Sequence, residues 1–390
     1  MPRILAALLL ALTVGGTSAA LPADAPERTL SLEIDSALLE ETRAFRVRLP
    51  EGYFEDSGRR YPVFYVSDAD WNFELVADTL EYHAYWGRLP DFIVVGALNV
   101  SRNRDFVPRA DPFFPETGEG DRYVRHLSEE LIPIVDGNWR TSEVRILFGH
   151  SFGGVLALNQ LFSEPGLFDA YVALGASVWV AERVMFERAR AAFEARPGMT
   201  GRLYLAVGEG DGGATVPDGE RFAELLEQSA PDGLEWVFHI HPRENHFTNV
   251  PYALHDALAW LYPFWGLDET LIEAGRAAGP QGVADWYDAR EAELGWRFVP
   301  QSMELGLAGV TLAREGRLEA AEAIFDRLEA RYPQRPEVFA MHAQARFAAG
   351  DLAGADAAIA RAIALGEQVG HPSDRLQAFR NFREALTPEQ

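Results

Sequence analysis

The sequence contains no cysteine. Disulfides, thiolate nucleophiles and cysteine-ligated metals are therefore excluded. Basic residues are outnumbered by acidic ones, 35 to 59, for a formal net charge of −24. A chain this acidic repels phosphate backbones and anionic bilayer surfaces, so nucleic acid is not an expected partner. There is no H-E-x-x-H pair, no P-loop and no dinucleotide-type glycine loop after the first strand. Neither a metal nor an organic cofactor is expected.

The apolar run Ile4 to Val14 follows Arg3 and precedes the small residues Ser18, Ala19 and Ala20. It is short for a bilayer span and has the layout of a secretory signal peptide. Residues 1–20 are read as that leader, and the mature protein is expected to be periplasmic or secreted, with no stable membrane insertion. A length of 390 residues suits two domains or one large domain with an appendage.

Seven short runs have strand character: Arg43–Pro50, Tyr61–Ser67, Asp91–Leu98, Val144–Gly149, Asp169–Gly175, Arg202–Gly208 and Glu235–His241. The middle ones are apolar almost throughout, as strands buried on both faces of a mostly parallel sheet must be. Helical runs alternate with several of them, and residues 252–264 read as a closing helix. The expected fold is α/β, a mostly parallel sheet flanked by helices over residues 21–267. Beyond about residue 270 the strand-like runs stop. Two Ala-, Glu-, Leu- and Arg-rich stretches can be overlaid with Gly316 on Gly350 and Ala321 on Ala355, a spacing of 34. That period of paired helices resembles tetratricopeptide repeats. The expected layout is a linking helical segment at 268–301, repeats at 302–369 and a polar, partly helical tail at 370–390. The repeats are a candidate surface for a protein partner or a second copy.

The stretch carrying chemistry is "RILFGHSFGGVLAL", in which Gly149 to Gly153 match G-x-S-x-G. Five residues alone are weak. Here a buried strand precedes them and an amphipathic helix follows, as a nucleophile elbow requires. Such a turn exposes the Ser151 hydroxyl at the start of a helix, where backbone N–H groups favour an anion. A serine hydroxyl needs a base, and in hydrolases with this turn the chain order is serine, acid, histidine. Of His239, His241, His246 and His255, only His246 lies in a polar loop between the last strand and the last helix, so His246 is the expected base. The orienting acid should follow the preceding strand, where "VGEGDGG" offers Asp211 and, as alternative, Glu209. The oxyanion hole is expected from the N–H of Phe152 and that of Ala69 or Asp70 in the loop "DADWNF". Trp71, Phe73 and Trp179 either line an acyl or aromatic pocket or belong to the core.

With these residues in hand, the chain resembles the esterase family of α/β hydrolases that includes enterochelin-esterase-like, feruloyl-esterase-like and S-formylglutathione-hydrolase-like enzymes. The carrying segments are "FRVRLPEGY", "RRYPVFYVSDAD", "VGALNVSRNRDFVP", "RILFGHSFGGVLAL", "YVALGASVWV", "LYLAVGEGDG" and "ENHFTNVPYALHDAL", in the family's order between about residues 40 and 265. The resemblance implies Ser151 as nucleophile and His246 as base, a structural pair of Arg104 with Asp105, and Arg102 facing substrate. Ala69 stands where many members carry glycine. The implied activity is hydrolysis of a small-molecule carboxylic ester, siderophore-like or aromatic, through an acyl-enzyme. Two alternatives are a repeat-based binding scaffold with a vestigial hydrolase domain, and an acyltransferase using the same triad.

Overall fold

The computed structural model describes residues 27–54, 57–263, 269–371 and 373–386. The expected leader lies outside these residues. The chain divides into two compact units, one of Pro26–Ala84 with Pro90–Leu261, the other containing Tyr85–Leu89 and Tyr262–Gln390. No described helix is long and apolar enough to cross a membrane.

The first unit is built on an eight-stranded sheet. Its strands are β1 Thr29–Ser36, β2 Glu41–Arg48, β3 Tyr61–Val66, β4 Ile93–Ala97, β5 Thr141–His150, β6 Ala170–Leu174, β7 Gly201–Gly208 and β8 Leu234–His241. They lie in the order β1-β2-β4-β3-β5-β6-β7-β8. β1 and β2 run antiparallel to each other and β2 antiparallel to β4, while every pair from β4 to β8 is parallel. All seven strands expected from the apolar runs are present. The additional one, β1, reads "TLSLEIDS". Its leucines and isoleucine alternate with polar residues, as suits an edge strand with one face on the core.

Parallel strands need crossovers, and all but the last of the unit's helices supply them. They are α1 Ala69–Tyr85, α2 Arg102–Phe106, α3 Gly120–His126, α4 Ile132–Asn138, α5 Phe152–Ser163, α6 Val180–Ala195, α7 Thr215–Ser229 and α8 Asn249–Leu261. One π-helical turn, Leu127–Leu131, joins α3 to α4. Strand β5 runs between β3 and β6, and residues Ile146–Phe148 on it are fully or nearly fully buried. Helix α5 is buried from Phe152 to Phe162 and apolar there apart from Asn159 and Gln160, as suits a helix enclosed in a core. Because β3 and β5 are adjacent and parallel, α1 and α5 both start at the same, C-terminal edge of the sheet. Ligands of open α/β sheets bind at that edge.

The second unit is all-helical: α9 Glu269–Leu294, α10 Ser302–Arg314, α11 Leu318–Arg331, α12 Pro336–Ala348, α13 Leu352–Gln368 and α14 Ser373–Leu386. Helices α10 and α12 begin 34 residues apart, as do α11 and α13. Gly316 and Gly350 end the first helix of each pair at φ 78° and 85°, a conformation that only glycine enters without strain. Ala321 and Ala355 are fully buried. Gly279 at φ 61°, followed by Pro280, breaks α9 in the same manner. A third helical hairpin therefore precedes the two read from the spacing. His342 on α12 is buried against Phe325, ring centroids 4.6 Å apart, between the carboxylates of Glu329 and Glu322 at 2.5 and 3.0 Å.

Candidate active site

The strand-to-helix turn between β5 and α5 holds Ser151 at φ 60°, ψ −117°. A non-glycine residue here is strained by an amount on the order of 1–3 kcal/mol, and such strain collects at functional sites. The glycines around it are there for space. A Cβ on Gly149 would collide with the backbone of Gly153, one on Gly153 with the Ser67 side chain, and one on Gly154 would lie 2.8 Å from the Ala176 Cβ. The turn is closed by Ser151 N–H donating to the Leu174 carbonyl at 2.9 Å and by Ser177 N–H donating to the Ser151 carbonyl at 3.3 Å. Ser177 is buried, and its Oγ is 3.4 Å from Ser151 Oγ.

His246 sits in the loop between β8 and α8, and the turn after β7 supplies Asp211. Both Asp211 carboxylate oxygens stand 3.0 Å from His246 Nδ1. The Asp211 side chain is 2% exposed and the His246 side chain 24%. The two loops are stitched together, since Gly210 N–H donates to the Glu244 carbonyl at 2.8 Å. Glu209 is occupied elsewhere, its Oε2 accepting from the Arg243 N–H at 2.9 Å. Asn245 shapes the loop from within. Its side-chain oxygen accepts from the N–H groups of Phe247 at 2.9 Å and Thr248 at 3.1 Å, the hydrogen bonding of an Asx-turn. The other late histidines have partners away from this turn. His241 contacts Asn249 and Asp256, His239 stacks on His241 and Tyr204, and His255 packs on His83.

The segment after β3 is shorter than the loop "DADWNF" expected from the sequence. Only Ser67 and Asp68 separate strand from helix, with Asp68 at φ 56°, and α1 starts at Ala69. Among the described residues, no backbone hydrogen bond engages the N–H of Ala69, Asp70 or Phe152. The N-termini of α1 and α5 thus present free donors and aligned peptide dipoles on the same sheet edge. Asp68 is paired with a cation, and Asp70 is held by uncharged donors. Asp68 is fully buried and takes a two-point bond from Arg102, Nε at 2.6 Å and a terminal nitrogen at 2.8 Å, plus one from Asn99 at 2.9 Å. Asp70 accepts from the backbone and side-chain nitrogens of Asn99, both at 2.9 Å.

Two expectations need correction. Arg102 was expected to face substrate. Its guanidinium is instead committed to Asp68 and to the His150 carbonyl at 3.2 Å, because a carboxylate buried that deeply requires a counter-charge. Phe73 was a candidate pocket residue and is fully buried. It lies on the inward face of α1 with Val76, Ala77 and Leu80, against Gly96 and under the Arg46 guanidinium. Trp71, two residues earlier on the same helix, points outward and is 68% exposed. Arg104 and Asp105 do pair, at 2.8 Å, and Asp105 also binds the buried Arg43 at 2.7 Å.

Trp179 is half-buried in an aromatic wall beside the serine. Its indole N–H donates to Thr215 Oγ1 at 3.3 Å, and its ring centroid is 6.0 Å from Phe114 and 6.4 Å from Phe152. The sequence offered no sign of what holds this wall. Ala181, Glu182 and Arg183 form a left-handed turn, φ 49°, 56° and 61°. The buried Asp111 ties that turn to the loop carrying Phe113 and Phe114, accepting from Ala181 N–H at 2.7 Å and Phe113 N–H at 2.8 Å. Phe247, 75% exposed, stands next to His246 with ring centroids 5.1 Å apart.

His150, the residue between Gly149 and Ser151 in the motif, is buried and in contact with the histidine loop. Its Nε2 lies 2.7 Å from the His246 backbone carbonyl, and the two rings are 4.5 Å apart. Burial, reinforced by the neighbouring His246 and Arg102, pushes its pKa down to about 4.

The family described as "Putative esterase" matches residues 36–266. Ferri-bacillibactin esterase BesA of Bacillus subtilis is 25% identical over 162 residues, 35% of this chain and 55% of that protein. An uncharacterized B. subtilis protein, YbbA, is 26% identical over 181 residues, 44% of this chain and 69% of its own length. Among solved structures, an IroE-like serine hydrolase from Shewanella oneidensis aligns with a TM-score of 0.63 at 25% identity, covering 78% of this chain and 99% of that one.

Proposed function

This chain belongs to the esterase family of α/β hydrolases and is a carboxylic ester hydrolase; we propose that it works through a covalent acyl-enzyme on Ser151. The observation that carries the mechanism is the buried Asp211 carboxylate held 3.0 Å from His246 Nδ1, on the same sheet edge as the strained serine. Asp211 keeps the proton on Nδ1, so Nε2 is free to accept. His246 Nε2 takes the Ser151 proton as Oγ attacks the ester carbonyl. The N–H of Phe152 and those opening α1, at Ala69 and Asp70, receive the oxyanion. The imidazolium then gives its proton to the leaving alcohol. Water repeats the sequence in reverse and frees the acid and the serine.

The aromatic surroundings support an ester with a bulky or aromatic acyl part. Phe114, Phe152 and Trp179 form one wall, and Trp71 and Phe247 stand exposed nearby. The named activity of the ferri-bacillibactin esterase favours a siderophore-like ester within that class. Export of the mature protein, read from the leader, agrees with a substrate met outside the cytoplasm. The C-terminal helix pairs are read as tetratricopeptide-like and as a surface for a partner or second copy; light scattering on the full chain tests self-association.

The primary test is hydrolysis of p-nitrophenyl acetate, butyrate and octanoate and of a siderophore triester by the mature protein and by Ser151→Ala. Turnover abolished by the substitution is expected, with higher kcat/KM on the larger esters. Turnover that survives Ser151→Ala would remove the serine from the mechanism.

A further inference from the structure

We propose that His150 is a positioning residue for the base: its Nε2–H holds the backbone carbonyl of His246 and so sets the position of the catalytic imidazole relative to Ser151. The inference rests on the reading of His246 as the base.

The His246 side chain is constrained at two ends. Asp211 holds Nδ1 and governs how the ring is turned. It does not govern the height of the loop, because a ring can keep that contact while its backbone shifts. His150 supplies the second constraint, a 2.7 Å bond to the His246 carbonyl from the strand residue next to the nucleophile. Nucleophile and base are thereby referenced to the same point, the end of β5. That point is itself fixed, since Arg102 donates to the His150 carbonyl at 3.2 Å while clamping Asp68. Gly175 makes the arrangement sterically available. Its φ is 52°, and a Cβ there would lie 3.3 Å from His150 Nε2 and 3.2 Å from His246 Cε1 and Nδ1.

The role also requires a neutral ring. A cation 4.5 Å from the His246 ring would oppose the imidazolium that forms during acylation. Burial, the His246 ring and the Arg102 guanidinium disfavour a proton on His150 while the Asp211 carboxylate opposes them, and the balance keeps the ring neutral above about pH 4. The carbonyl acceptor sets the tautomer: the proton is on Nε2, because a carbonyl oxygen cannot donate.

Misplacement of a reacting group by about 1 Å costs on the order of 10²-fold in rate. His150→Leu, which fills the space without a donor, is expected to lower kcat on p-nitrophenyl butyrate by about that factor, with KM within about two-fold. Labelling of Ser151 by a fluorophosphonate should slow in parallel. His150→Gln places an amide N–H near the position of Nε2 and should recover most of the rate, whereas His150→Asn is too short to reach and should behave like leucine. Circular dichroism identifies the folded variants. A folded His150→Leu or His150→Asn with wild-type kcat, or a folded His150→Gln as slow as either, overturns the proposal. Ser151→Ala and His246→Ala run alongside. If either of these keeps turnover, the serine-esterase reading itself fails, whatever His150 does.

Discussion

The assignment of the orienting acid gives the sharpest test of the site. Asp211→Asn keeps the size of the side chain and removes its charge. Two losses follow. First, the imidazolium formed as His246 takes the serine proton no longer faces a carboxylate whose oxygens are 3.0 Å from Nδ1. With charge centres about 4 Å apart and an effective dielectric constant of about 20, that attraction is about 4 kcal/mol. At 1.36 kcal/mol per decade it corresponds to about three decades in kcat. Second, the amide NH2 can donate to Nδ1 and so favour the tautomer with its proton on Nε2, which cannot accept from Ser151. Together they predict a fall in kcat of about 10³- to 10⁴-fold, with KM little changed. Glu209→Gln is the internal control. Glu209 only accepts a backbone N–H from Arg243, and a glutamine oxygen can do the same, so kcat should stay within about three-fold. Steady-state hydrolysis of p-nitrophenyl butyrate by both folded variants decides. A folded Asp211→Asn enzyme retaining more than about a tenth of kcat, or a larger loss in Glu209→Gln, refutes the reasoning.

Two further outcomes concern stability. Arg102→Met strips the fully buried Asp68 of its guanidinium and leaves it only Asn99; a loss of about 3 kcal/mol, measured by urea denaturation, is expected for an orphaned buried charge, and a loss under about 1 kcal/mol contradicts that account of the segment. For pH, the sign follows from His150 being harder to protonate folded than unfolded. Above the unfolded value of about 6.5 both states are neutral and the group contributes nothing; below it the unfolded chain binds a proton the folded one refuses, so stability falls as pH drops from about 6.5 towards 4. The full extent is about 3 kcal/mol. Denaturation curves of the wild type should therefore lose more stability between pH 7 and 4.5 than those of His150→Gln, and equal losses would show that the folded protein protonates His150 freely.

Much of the architecture was legible because burial writes itself into composition. The central strands β3, β4, β6 and β7 stand in the sequence as apolar runs, β2, β5 and β8 as runs of strand character, and helix α5 as a helix-like stretch directly after the motif. Elements with one wet face were harder to see. β1 alternates, and α1 opens with aspartates and a tryptophan, so its first turn reads as loop. That misreading is what made Phe73 a pocket candidate: in a loop, residues 71 and 73 could both line a site, whereas on a helix two residues apart they point to different faces. The 34-residue spacing was visible from paired glycines and alanines, but the hairpin at Gly279 was not, because the residues after it do not repeat the later pattern.

The site divides along the same physical line. Ser151 is recognisable because its constraints are local: glycines on both sides, a buried strand before, a helix after. His246 is recognisable because chain order and a polar loop single it out among the late histidines. Asp211 and Glu209 share one turn, and only the folded positions separate them, one carboxylate turned inward to His246 and the other outward to the Arg243 backbone. The remaining contacts are long-range and leave no local trace. Asp68 meets Arg102 across 34 residues and His150 meets His246 across 96. In both cases the sequence shows a polar residue in or beside a motif and nothing of its partner. Once Asp68 and His150 are enclosed, each must have a partner: Asp68 takes Arg102 and Asn99 from the segment after β4, and His150 takes the backbone carbonyl of the base. Asp68 and His150 thus join the nucleophile's strand to the rest of the site, one through Arg102 and the other through the His246 carbonyl.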